Sequence, residues 1–121
     1  MIRITDITSE VISIIQSATR IKVKTGWLTQ EDIFPVITIA PNEYRVEWIL
    51  QSEMARYFFS YEVSIWSKTL RETDEEANNI IDKFAQVLRG KHWFSFRIIL
   101  RDMREGGIYR KVLIIEFGVV G

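Results

Sequence analysis

Residues 57–68 read YFFSYEVSIWSK and residues 73–89 read TDEEANNIIDKFAQVLR. In the first stretch Phe59, Tyr61, Val63 and Ile65 fall on one face of an extended chain, with Ser60, Glu62 and Ser64 on the other. That alternation marks a strand with one buried face and one wet or partner-covered face. Trp66 joins the polar side, so a neighbouring strand's side chains or another subunit must cover it. In the second stretch Ala77, Ile80, Ile81, Phe84, Val87 and Leu88 recur three and four apart, opposite Asn78, Asn79, Asp82, Lys83, Gln86 and Arg89. This is the pattern of a surface helix with one buried side. Thr73 and Glu76 have the spacing of a capping box, and Asp74, Glu75 and Glu76 sit where the helix dipole favours negative charge. Gly90 stands where a left-handed C-terminal cap belongs.

Beyond the helix, residues 93–103 and 108–120 read as strands joined by a tight turn at Gly106-Gly107. Phe94, Phe96, Ile98 and Leu100 are expected to face one way, with Ser95, Arg97 and Arg101 opposite. The last run, VLIIEFGVV, is almost continuously apolar, which suits a strand that is central or covered on both faces.

Before residue 57 the reading starts with a helix over 8–20, capped by Thr8 or Ser9, with Val11, Ile14, Ile15 and Ala18 as its stripe. Ile21-Lys22-Val23-Lys24 alternates as a short strand with both lysines on one face, ended by Gly26. Residues 34–40 (FPVITIA) form another strand bounded by Pro41-Asn42. Pro35 cannot donate to a ladder, so it belongs at a strand start or on an edge. In residues 45–51 Val46, Trp48 and Leu50 alternate with Arg45, Glu47 and Gln51, a further strand. No linker, repeat or low-complexity stretch divides the chain. The expectation is one α+β domain over residues 1–121, a mostly antiparallel sheet with two helices packed on it in the order α-β-β-(β)-β-α-β-β.

Lys+Arg and Asp+Glu are equal at 16 each. A duplex-DNA binder normally carries a basic excess to neutralise phosphates, so sequence-specific nucleic-acid recognition is not expected. The absence of cysteine excludes a disulfide framework, a thiol nucleophile and a thiolate metal site. The N-terminal residues lack the pattern of a signal peptide, and no apolar run approaches the roughly 20 residues that span a bilayer. The chain reads as soluble, intracellular and reduced, with no membrane partner.

Catalytic constellations are missing. His92 is the single histidine, too few for a zinc site, and its place at a helix-to-strand junction marks a loop residue. The trio Asp74-Glu75-Glu76 is explained by helix-start stabilisation rather than by paired-carboxylate chemistry. There is no GxGxxG, Walker-type loop or nucleophile elbow. No catalytic, cofactor-binding or metal-binding residue is expected.

Arg97, Arg101, Arg104, Arg110 and Lys111 gather on the terminal hairpin. They are either ordinary solvating charges or a positive surface facing a neighbouring subunit or acidic partner. Trp27, Trp48, Trp66, Trp93, Tyr57 and Tyr109 exceed what a small sheet with two helices needs, which points to at least one protein interface. Trp66, Arg97, Arg101 and Arg110 are the candidate interface residues.

The string YEVSIWSKTLRETDEEANNIIDKFAQVLRGKHW, residues 61–93, resembles the tail-terminator and tail-completion proteins of long-tailed phages and prophages. In that family an apolar strand ending near a Trp-Ser pair leads into a helix with Glu-Ala early and Leu-x-Gly late. Here those are Ile65-Trp66-Ser67, Glu76-Ala77 and Leu88-Arg89-Gly90. The closing strand over 108–120 with Arg110, the N-terminal helix and the strand around Phe34-Pro35-Val36 follow the family's order, and residues 27–54 give least support. The resemblance implies a non-enzymatic virion protein without cofactors, forming a homohexameric ring that caps the tail tube and joins it to the head. Its implied partners are itself, the tail tube protein and the head–tail connector, in the virion and in the host cytoplasm during assembly. A neck or head–tail connector protein, and a small α+β module holding an apolar ligand or a protein, are the alternatives.

Overall fold

A computed structural model describes residues 2–121. The chain runs α1 (Ile4–Ala18), β1 (Lys22–Thr25), β2 (Val36–Trp48), β3 (Ala55–Ser67), α2 (Leu70–Val87), a 3-10 turn (Leu88–Gly90), β4 (Trp93–Glu105) and β5 (Ile108–Val120). The strands form one five-stranded sheet in the order β1-β2-β3-β5-β4. β1 runs parallel to β2 and every other neighbour pair is antiparallel. The α+β class and the element order agree with the sequence reading.

Both helices lie on one face of the sheet. Val11, Ile14 and Ile15 of α1 and Ala77, Ile80 and Phe84 of α2 meet Ile37, Ile39, Phe59, Tyr61, Val63, Ile65, Leu113, Ile115 and Phe117 in a single apolar cluster. Of these, Phe59, Tyr61, Val63 and Ile65 are the face that alternation marked, because each pleat sends every second side chain to the same side. Burying one such Phe or Ile contributes about 1.5–3 kcal/mol. Among the described residues nothing packs as a layer on the opposite, open face, which carries Thr38, Ser60, Glu62, Ser64, Trp66, Arg110, Val112 and Glu116. β5, as its apolar run implied, is an interior strand between β3 and β4.

Several boundaries differ from the sequence reading. Helix α1 begins at Ile4 with Arg3 as N-cap and no side-chain cap bond. Thr8 and Ser9 therefore lie inside it, and the Thr8 hydroxyl is spent on Tyr61 Oη at 2.8 Å. Helix α2 begins one turn earlier than expected. Its cap is Thr69, whose Oγ1 accepts from the Glu72 amide at 3.3 Å. The Glu72 carboxylate accepts from the Ser67 hydroxyl at 2.5 Å, and Ser67 Oγ accepts from the Thr69 amide at 3.2 Å. Thr69-x-x-Glu72 and Thr73-x-x-Glu76 share the same signature one turn apart, and strand β3, ending at Ser67, selects the first. Thr73 is fully buried and bonds back to the Leu70 carbonyl.

The acidic trio is thus not the helix start. Asp74 pairs with Lys111, Glu75 with Arg71 one turn back, and Glu76 accepts from Thr19 and Asn79. Gly90 does not adopt the left-handed conformation either; it ends the 3-10 turn. Positive φ belongs to Gly26 and to Gly106-Gly107, the latter two forming the expected hairpin turn.

Residues 34–40 and 45–51 are not separate strands. β2 continues through Pro41 and Asn42 with a bulge between Pro41 and Glu43, so it pairs with the whole of β3. A second bulge between Trp93 and Ser95 reverses Phe94. Trp93 packs on Phe117 in the core, ring centroids 4.1 Å apart, and Phe94 crosses to the open face over Gly118. A methyl group at Gly118 would come within 2.4 Å of the Phe94 ring.

Candidate assembly surface

Three of the five hairpin cations project from the open face. Arg97 and Arg101 stand four residues apart on β4, opposite Glu116 and Val112, and Arg110 stands on β5 opposite Met103. Arg104 and Lys111 go to the helix face, because the pleat separates odd from even positions. Lys111 bonds to Asp102 at 2.5 Å and Asp74 at 2.8 Å, tying the hairpin to α2. Burial alone would lower its ammonium's pKa, but bonds to these two carboxylates hold it above its ordinary value. The expected positive patch is therefore divided and partly neutralised.

Arg110 is the centre of the most organised polar cluster. Its Nη2 donates to Glu62 at 2.6 Å and its Nε to Ser64 at 3.1 Å, with Glu105 at 3.6 Å. The guanidinium lies 4.5 Å from the Trp27 ring centroid and 4.8 Å from that of Trp66. The two indoles meet edge to face at 5.3 Å, and Trp66 Nε1 donates to Thr38 at 3.0 Å. Trp27 enters from the β1–β2 loop, held by Asp32, which accepts from Lys24 at 2.8 Å and from the Thr29 amide at 2.6 Å. These bonds, the lysine's foremost, keep the Asp32 carboxyl below its ordinary pKa.

The four candidate interface residues thus separate. Trp66 and Arg110 are 3% and 7% exposed, covered by the chain's own loop. Arg97 and Arg101 are exposed; Arg97 donates to Glu116 at 3.0 Å, and Arg101 has no carboxylate within ion-pair distance among the described residues. Sequence reasoning gave no sign that Trp27 would cover Trp66, because the contact joins a loop to a strand about forty residues away. Of the surplus aromatics, Trp93 and Tyr57 pack against the core, whereas Trp27 and Trp48 are 53% and 71% exposed. Trp48 sits with Leu50 and Met54 at the exposed tip of the β2–β3 hairpin.

A shallow groove of about 360 Å³ crosses the open face, with Arg45 and Glu43 on one side, Arg97 and Glu116 on the other, and Phe58 and Ser60 between. Arg45 lies over the Phe58 ring at 4.3 Å. Equal numbers of both charges give the groove no preference for an anion or a cation. His92 is exposed in the connection before β4. Among the described residues no cluster of His, Cys, Asp and Glu has the arrangement of a metal site, and no helix is long and apolar enough to cross a membrane.

The arrangement of this sheet and its helices is shared with a solved structure, the bacteriophage SPP1 gp17 protein. The two superpose with a TM-score of 0.61 at 10% identity, over 95% of this chain and 89% of the other. At that identity the likeness shows a common fold. The virion of a native gene transfer agent particle aligns at a TM-score of 0.46 and 11% identity, over 92% of this chain and 84% of the other. That superposition is too loose to build on. No protein-family model matches the chain, and no curated protein sequence does.

Proposed function

We propose that this chain is a structural protein of a phage or prophage virion, a tail terminator that forms a hexameric ring at the end of the tail tube and joins it to the head. The observation that carries the reading is the fold shared with bacteriophage SPP1 gp17 over 95% of the chain, in a sequence whose strand-to-helix segment independently resembles the tail-terminator family. Its action is assembly through surfaces and not catalysis. A ring closes through head-to-tail contacts, which set two different surfaces of one subunit against each other. Arg97 and Arg101, exposed on the open face, offer one of those surfaces.

Native mass spectrometry over a concentration series tests this. A six-subunit species that Arg97→Glu/Arg101→Glu disperses is the expected result. A monomer at every concentration that also fails to add to purified tail-tube ends refutes the reading.

A further inference from the structure

We propose that the outer edge of β4 accepts an extended segment of a partner protein as a sixth strand, and that this segment is acidic on one face and apolar on the other. The inference goes beyond the proposed function and does not rest on it, since it concerns one edge of one subunit.

The sheet order ends at β4, so one side of a 13-residue strand has no neighbour. α2 touches β4 only from the sheet's face, where Phe84 meets Phe96 with ring centroids 5.3 Å apart, and among the described residues no strand pairs with the outer edge. An unpaired edge presents a row of backbone N–H and C=O groups, and proteins usually blunt such edges by shortness, proline or inward charges. The opposite edge obeys that rule, with β1 only four residues long and carrying two lysines. β4 is guarded only by its charges and by the bulge between Trp93 and Ser95: it is long, lacks proline, and leaves Ile99 and Leu100 41% and 46% exposed.

Charge decides the occupant. Both carboxylates of β4 are engaged within the fold, Asp102 by Lys111 and Glu105 by Arg110. Arg101 and Arg104 have no carboxylate within ion-pair distance among the described residues, and Arg97 shares Glu116. The strand therefore meets an incoming chain as a cationic edge although its own sequence holds acids. A second β4 would bring arginines against arginines, and β1 of another copy would bring Lys22, so neither edge of this chain is the complement. A segment with carboxylates beside Arg97 and Arg101, which flank Ile99 on the open face, and apolar side chains beside Ile98 and Leu100 on the helix face complements those four positions. Such strand addition takes affinity from main-chain bonds and selectivity from alternate side chains.

The test uses the intact chain and two capped decapeptides, one alternating valine with glutamate and one alternating valine with lysine. Residue-resolved amide exchange is followed with each. The glutamate peptide is expected to slow exchange at alternate β4 amides, and the lysine peptide is not. Arg97→Glu/Arg101→Glu is expected to weaken the glutamate peptide about tenfold and to favour the lysine peptide. Added salt weakens the wild-type complex in the same direction without any substitution. Equal binding of the two peptides, protection confined to other strands, or no protection by the glutamate peptide overturns the proposal. Subunit number and β4 exchange are separate readouts, so the ring and the edge can fail independently.

Discussion

Replacing Arg110 by methionine removes the guanidinium while retaining an unbranched stem, and its cost can be worked from the contacts. The charge-assisted bond to Glu62 at 2.6 Å falls in a class contributing about 1.5–3 kcal/mol. Glu62 is 31% exposed on its side chain, so water recovers part of the loss and the lower end applies. Ser64, 1% exposed, then keeps a buried hydroxyl without its 3.1 Å partner, which costs about 1 kcal/mol or more. The two indoles lose a stacked cation at about 0.5 kcal/mol each. Glu105 at 3.6 Å is half exposed and adds little. The sum is about 3–4 kcal/mol, or a fall in Tm of about 10–15 °C for a domain of this size. Arg110→Lys retains the charge but loses the planar fork and stack, and is expected to lose about half as much. Thermal unfolding followed by far-UV circular dichroism measures both, and a double-mutant cycle with Glu62→Gln isolates the ion pair. A Tm for Arg110→Met within about 3 °C of wild type, with no coupling to Glu62, would refute the claim that this cluster fastens the β1–β2 loop to the sheet.

Two further expectations concern the helix cap and the loop. Thr69→Ala is expected to cost about 1 kcal/mol, whereas Thr73→Val, which removes a hydroxyl bonded only to a helix carbonyl, costs less than half of that; the reverse order in denaturant midpoints would return the cap to Thr73. The Asp32 carboxyl has a lower pKa folded than unfolded, so its contribution is present above the unfolded value and is lost as pH falls through the folded one. The loop should therefore loosen only below about pH 4, read as a change in tryptophan emission that Trp27→Phe diminishes. Asp32→Asn should show the loosened emission at neutral pH, and an unaltered acid transition in that variant would dissociate Asp32 from the effect.

The pattern of this sequence determined the sheet, the two helices, their order and most of the core. Alternation in residues 57–68 and the three-and-four spacing in α2 are local properties, and each states which side chains are buried without reference to the rest of the chain. The Gly106-Gly107 turn was equally legible, since few residues tolerate two successive positive φ angles. Only the tertiary structure chose between two capping signatures one turn apart, because the choice depends on where β3 ends. It also joined two apparent strands into β2 and reversed Phe94, because bulges shift register without altering the apolar pattern. The candidate surface was the least legible part. Sequence named Trp66, Arg97, Arg101 and Arg110 as candidate interface residues, and only three-dimensional packing decided that Trp27 covers two of them and leaves the other two in solvent. Burial of a cation is fixed by partners that arrive from distant segments, and neither Glu62 nor Trp27 announces that partnership in the order of residues.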